Sequence, residues 1–279
     1  MYSLNDTTAS ILNNLSLIRS SQPLIHCITN YVSAQLVANT LLALGASPVM
    51  AYSAAETAEA AASAGALVLN TGTPDPARGR SMIRAARTAR NAGLPVVLDP
   101  AGAGISSFRR KLCASLLPYT LSGGIRANAS EILVLAGKNI PQSSIDSSHG
   151  VKQAVPAGMQ LLGRAGVVLI TGEEDIICTP DRRIYLSLGH PLMKKVTGMG
   201  CACSAVFGAF LSIQPNPLEA ALSAAVTMGV AGAEAGEQAK GPGSFTAAFL
   251  DSLSLLTPET IQAKLRTAQL REEYLEKEE

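Results

Sequence analysis

Thr197-Gly198-Met199-Gly200-Cys201 is the stretch whose residue types and spacing are best suited to chemistry. Its glycines lead straight into an apolar run of small residues, 201–213, with the period of a buried helix. At a loop-to-helix junction, glycines let free backbone N–H groups turn toward a ligand, and the helix dipole adds about half a positive charge there. Such a junction seats a phosphate. Cys201 falls on the first turn with its sulfur facing the same point. The dipole is expected to draw its thiol below the ~8.5 of a free cysteine, which makes it a candidate proton acceptor. The competing reading is a close helix–strand contact where only small residues fit and the cysteine is inert.

Two carboxylates and a guanidinium come next. Asp99 ends the apolar run Pro95-Val96-Val97-Leu98, where an unpaired buried charge is expensive. It therefore either faces a crevice or forms the turn before Pro100. Glu131 opens a helix just after Arg126-Ala127-Asn128, so one turn offers a carboxylate, a guanidinium and an amide. Two carboxylates on a crevice suit Mg²⁺, directly or through its waters. The fork of donors on Arg126 suits a nucleotide phosphate. The plainer alternatives are a first-turn helix charge for Glu131 and a surface ion pair for Arg126. Other chemistries are excluded by missing motifs. There is no G-x-x-x-x-G-K-[ST] and no G-x-S-x-G. Gly102-Ala103-Gly104 lacks the third glycine and the later acid of a dinucleotide site.

Positioning these groups requires a scaffold, and the chain supplies alternating elements. Residues 8–19 form an amphipathic helix with Ile11, Leu12, Leu15 and Ile18 on one face. Strands are expected at 24–28, 47–51, 66–70, 95–100, 124–127 and 166–170, with helical stretches between them. Residues 176–178 and 184–186 read as an edge hairpin. Helices are expected at 200–213, 217–238, 244–255 and from 258 to the end, with 271–279 a charged, solvated helix end. This alternation, without a Pro/Ser-rich linker, implies one doubly wound α/β domain over 1–279. In such sheets ligands bind beyond the carboxyl ends of the strands. The polar turns Thr29-Asn30, Asn70-Thr71-Gly72-Thr73, Asp99-Pro100-Ala101-Gly102, Arg126-Ala127-Asn128 and Thr171-Gly172-Glu173 would line one crevice.

Composition fits that frame. Of 279 residues 47% are hydrophobic but only 4% aromatic, as expected where small residues pack helices closely on a parallel sheet. Net charge is +1, which implies no bulk attraction to nucleic acid or membrane. Five scattered cysteines fit a reducing, cytoplasmic setting, and Cys201 and Cys203 lack the partners of a zinc site. No secretory leader is expected, since the first residues lack a basic n-region and an apolar h-region, and no run of ~20 apolar residues occurs.

Six stretches, in order over 24 to about 210, together resemble the hydroxyethylthiazole kinase family of the ribokinase-like superfamily. They are His26-Cys27-Ile28-Thr29-Asn30-Tyr31-Val32, Gly45-Ala46-Ser47-Pro48-Val49-Met50, Leu98-Asp99-Pro100-Ala101-Gly102-Ala103-Gly104, Arg126-Ala127-Asn128-Ala129-Ser130-Glu131-Ile132, Gly189-His190-Pro191-Leu192-Met193 and Thr197-Gly198-Met199-Gly200-Cys201. The resemblance implies a mostly parallel central sheet with helices on both faces. It also implies transfer of the ATP γ-phosphate, with Mg²⁺, to the hydroxyl of 4-methyl-5-(2-hydroxyethyl)thiazole for thiamine salvage. Carried over by position, Asn30, Met50 and Gly198 match substrate contacts, and Arg126, Thr171 and Gly200 match the ATP site. Asp99 and Glu131 match the Mg²⁺ and phosphate region, and Cys201 falls where most of the superfamily places an aspartate base. The family resemblance further implies a homotrimer with sites between subunits, where Asn30 and Met50 serve a neighbour. Met199 and Ala127 depart from the family pattern, at a small hydroxyl residue and a glycine. His26, His190 and Cys203 read as packing residues. The alternatives are a related kinase for pyridoxal or hydroxymethylpyrimidine, an ATP-dependent hydrate dehydratase, and a non-catalytic nucleotide or thiazole binder.

Overall fold

A computed structural model describes residues 4–138 and 150–275 of the chain. Its strands are β1 (Leu24–Ile28), β2 (Ser47–Val49), β3 (Ala66–Asn70), β4 (Val96–Asp99), β5 (Gly124–Asn128), β6 (Val167–Thr171), β7 (Asp175–Cys178), β8 (Arg182–Ser187) and β9 (Gln269–Tyr274). They make one sheet in the order β2-β1-β3-β4-β5-β6-β7-β8-β9. The pairs from β2 through β6 are parallel and those from β6 through β9 antiparallel.

Both faces of the sheet are covered, which explains why its strands are apolar runs rather than alternating ones. On one face lie α1 (Leu4–Ser21), α2 (Ala34–Leu44), α8 (Met199–Ile213), α9 (Pro217–Gln238), α10 (Pro242–Ser254) and α11 (Pro258–Thr267). On the other lie α3 (Thr57–Ser63), α4 (Pro76–Asn91), α5 (Ser107–Leu116), α6 (Ala129–Leu135) and α7 (Val155–Leu161). Side chains alternate between the faces with period two. Val68, Val97 and Leu169 join the α8 side, while Leu69, Leu98 and Ile170 join the other. Counting on in steps of two puts Asn70, Asp99 and Thr171 on the α8 face. Arg126 joins them, since Ile125 and Ala127 point the opposite way. Strand parity thus gathers four polar strand-end residues against the start of α8. The small-residue run lets that helix come close: a Cβ on Gly208 would stand 2.5 Å from Val68 Cγ2.

The architecture is the α/β sheet with two helical layers anticipated above, with one correction at the end of the chain. The expected terminal helix stops at Thr267, and 269–274 form β9 instead. Its charges are satisfied by the neighbouring strand: Arg182 Nη1 donates to Glu272 at 3.1 Å and the Tyr185 hydroxyl to Glu273 at 2.8 Å. Leu270 packs on the core. The hairpin of β7 and β8 is consequently internal rather than an edge; residues 276–279 of the expected helix end lie outside the described residues. Among the described residues no helix is long and apolar enough to cross a membrane.

Candidate active site

The start of α8 is the hinge of the site. Gly198 adopts φ +95°, the left-handed region that side chains avoid, and no side chain caps the helix. The first-turn N–H groups thus point outward without a protein acceptor. Gly200 must be glycine for a different reason. A Cβ there would run into the Arg126 guanidinium, which lies flat against the turn.

Arg126 is the central cation. Its Nη2 donates to Thr171 Oγ1, and Nη1 is 3.9 Å from Asp99 Oδ2. Burial works against its charge, but Asp99, Cys203, Glu131 and Cys201 around it hold it firmly protonated. Asp99 is 1% exposed and accepts from Ser204 Oγ at 2.8 Å. Burial pushes its carboxyl above the usual range, opposed by Arg126, Ser204 and Asn70. Glu131 is half-buried and serves first as a helix cap. Its oxygens accept from the Asn128 and Gly102 N–H groups, both at 3.0 Å, while Asn128 Oδ1 accepts from Glu131 N at 2.9 Å. Burial, then Asp99, pushes Glu131 up to about 7. Both carboxyls are pushed up by burial and Glu131 further by the charge of Asp99, so the pair is short of positive charge, which a divalent ion bound with substrate phosphates would supply. The residues fit such an ion, although no group of three or more metal-ligating side chains occurs among the described residues.

On one side of the junction lies a cleft of about 890 Å³. Arg126, Thr171, Gly198 and Gly200 line it, together with Asp175, His190, Lys194 and Met199. Lys194 Nζ meets Glu173 Oε1 at 2.6 Å. Asp175 Oδ1 accepts from Gly172 N at 2.9 Å, and burial pushes its carboxyl up to about 6. His190 accepts from Leu192 N at 3.2 Å and stacks on Phe245, as a packing residue does. His26 is fully buried with Nε2 2.7 Å from the Ala51 carbonyl. Cys203 is buried too, but also forms part of the cleft wall.

Cys201 faces the other side. Asn30 Nδ2 lies 3.3 Å and Asn70 Nδ2 3.2 Å from its sulfur. Its thiol does not have the lowered pKa expected from the helix dipole. Burial pushes it up and Asp99 adds to this, outweighing the Ser33, Arg126 and Asn30 contributions. A half-charge at a helix end is weaker than a full charge plus desolvation. Asn30 is bonded to Cys201 of its own chain. Met50, just past β2, is half-buried against the core of the α8 face and makes no hydrogen bond in this cluster. The sequence places Asn70 only within a crevice-lining turn and gives no role to it or to Ser33. Strand parity two residues beyond Val68 would have found Asn70, and the step from Asn30 into α2 offered no such signal for Ser33.

Residues 15–259 match the model of the hydroxyethylthiazole kinase family. The chain is 46% identical over 253 residues to hydroxyethylthiazole kinase of Cereibacter sphaeroides, covering 90% of this chain and 96% of that one. With the enzyme of the same name from Leptothrix cholodnii it shares 42% over 266 residues, 93% and 96% of the two chains. It is similar to the solved hydroxyethylthiazole kinase protein from Pyrococcus horikoshii OT3, with TM-score 0.84, 36% identity and 95% and 99% coverage. Pyridoxal kinase from Staphylococcus aureus in complex with AMP-PCP and pyridoxal shares the fold at TM-score 0.56 and 15% identity, over 76% and 87% of the chains.

Proposed function

The chain belongs to the hydroxyethylthiazole kinase family, and from that premise we propose how its residues carry out the phosphorylation. The reaction moves a phosphoryl group from ATP to the hydroxyl of 4-methyl-5-(2-hydroxyethyl)thiazole, giving the phosphate used in thiamine salvage. The observation that carries the assignment of roles is the junction itself. An uncapped helix start and a buried Arg126 open on one cleft, and Cys201 stands on its far side.

Phosphoryl transfer asks mainly for positioning and charge neutralisation. Arg126 and Thr171 hold the ATP phosphates, and the N–H groups at Gly200 and its neighbours meet the charge that develops on the transferred group. Asp99 and Glu131 would hold Mg²⁺, which supplies neutralisation of the phosphates when bound. Asn30, Met50 and Gly198 surround the thiazole alcohol, and Cys201 meets its hydroxyl as the proton-handling residue. The proton leaves late in a loose transition state, so the small thiolate fraction that a raised pKa leaves on Cys201 suffices to accept it. Met50 stands at the β2 edge, near exposed Tyr31 and Tyr52, which supports a homotrimer in which Met50 reaches a neighbouring site. Five free cysteines support a cytoplasmic setting.

The test is incubation of the purified protein with Mg-ATP and the thiazole alcohol, followed by mass spectrometry. Thiazole phosphate formed over many turnovers is expected. Turnover of pyridoxal or hydroxymethylpyrimidine instead would overturn the substrate, and binding of both ligands without product would make the protein a sensor.

A further inference from the structure

Asn70 has no assigned part in the reaction, yet it is the most connected polar side chain beside Cys201. It ends β3 in register with Asp99 on β4, and it is 2% exposed. Its Oδ1 accepts from Gly72 N and from Asn30 Nδ2, both at 2.9 Å. Because a backbone N–H can only donate, Gly72 identifies that atom as the oxygen, and the NH₂ group must face the other way. It there donates to Cys201 Sγ at 3.2 Å and also hydrogen-bonds Asp99. The same logic fixes Asn30, whose Oδ1 accepts from Ser33 N at 3.0 Å. Its two N–H groups then go to Asn70 and Cys201. Asn30 therefore has no spare donor for a substrate and keeps one free lone pair on Oδ1.

The loop after β3 is shaped around this pair. A Cβ on Gly72 would stand 2.8 Å from Asn30 Nδ2 and 2.9 Å from Asn70 Oδ1. Only a glycine lets the backbone close over both amides and donate its N–H to one of them.

We propose that Asn70 is the positioning residue of the phosphoryl-acceptor site, holding Cys201 through its amide N–H and fixing Asn30 so that it meets the substrate only as an acceptor. This rests on the reading that Cys201 meets the acceptor hydroxyl. Asn70 acts through Cys201 and Asn30, on the opposite side of the junction from Arg126 and the nucleotide cleft.

The experiment uses Asn70→Ala and Gly72→Ala in the full-length protein, with two readouts. One is steady-state kinetics with Mg-ATP and the thiazole alcohol. The other is the pH midpoint of iodoacetamide alkylation at Cys201, mapped by mass spectrometry without substrate; the other four cysteines are buried. Turnover is expected to fall at least tenfold, with KM for ATP within about twofold. Loss of one N–H donor to the sulfur should raise the alkylation midpoint by about one unit. A folded variant that keeps wild-type turnover, or an unmoved midpoint, would overturn the proposal. If Asn70→Ala does not fold, Gly72→Ala decides alone. Full activity in Cys201→Ala would sink the role of Cys201, while the alkylation midpoint would still judge whether Asn70 holds the thiol.

Discussion

On the cleft side of the Gly198–Cys201 junction the polar side chains include loosely held, solvated ones, whereas on the acceptor side the Asn30 and Asn70 amides are bonded to each other and to Cys201 before any ligand arrives. Lys194 and Glu173 are 58% and 85% exposed, while Arg126, 12% exposed, lines the same cleft. Asn70 and Asn30 are 2% and 6% exposed. A triphosphate is large and highly charged, so free N–H groups and cations can recognise it without a rigid cage. A small neutral alcohol offers one hydroxyl, and orienting it requires groups whose own directions are already set. The contrast makes ranked predictions. Variants on the locked side should act on turnover, and those on the open side on nucleotide affinity.

Asp99 joins the two sides and should give the largest effect. Asp99→Asn keeps the shape and the Ser204 bond but removes the charge that opposes Arg126. Turnover is expected to fall by about 10³, in the range for lost electrostatic stabilisation of a transition state. The Mg²⁺ concentration for half-maximal rate should rise while thiazole affinity changes little. Titrations of both ligands decide it; equal losses would mean that Asp99 is structural.

Cys201→Ala comes next and tests whether the locked side handles the proton. Loss of turnover should not exceed the roughly 10²–10⁴ of a general base. The raised thiol pKa points to the lower end. An unchanged rate would remove Cys201 from the reaction and leave the amides as the functional groups of that side.

Glu131 predicts a pH effect with a definite sign. Its folded pKa of about 7 lies above the ordinary carboxyl value, so the folded protein holds this proton more tightly than the unfolded chain does. The stability it contributes is fully present below the unfolded pKa, near 4.5, and is lost as pH rises through about 7. The loss is at most about 3 kcal/mol, or roughly 6 °C in Tm. Comparing Tm at pH 5 and pH 8 without ligands, wild type should fall by several degrees more than Glu131→Gln. Asp175 titrates the same way in both proteins and cancels. Parallel slopes would refute the shift.

The contrast between the two sides also explains what was legible in the sequence. Strands β1, β3, β4 and β6 are apolar runs closed by glycine, proline or polar turns, and these boundaries are local signals. So is the α8 junction, since its glycines and small residues are contiguous. Asp99, Arg126 and Thr171 could be grouped because strand ends in a parallel sheet share one crevice. Strand β9 was not legible: Arg271, Glu272 and Glu273 read as a solvated helix, and only pairing with β8 makes them a strand. The thiol's acidity was misjudged for a related reason. The helix dipole is encoded next to Cys201, but Asp99 is 102 residues away in sequence. The role of Asn70 depends on which way an amide faces, and no spacing rule reports that.

Lys194 should give the smallest effect and is the sharpest probe of the open side. Its pairing with Glu173 brings the turn after β8 and the loop after β6 together at the nucleotide cleft. Exposed pairs of this kind contribute little to stability, so Lys194→Ala should leave Tm essentially unchanged. Binding is another matter, because ATP phosphates entering the cleft offer the ammonium a stronger acceptor than Glu173. KM for ATP should rise about threefold in Lys194→Ala, and Glu173→Gln, which frees the lysine, should lower it or leave it unchanged. Both differences should shrink at 1 M salt, where the screening length is about 3 Å. KM for the thiazole alcohol and turnover should stay within error. A Lys194→Ala variant that loses turnover instead would place this exposed lysine in the chemical step, and the division between a loose nucleotide side and a locked acceptor side would fail.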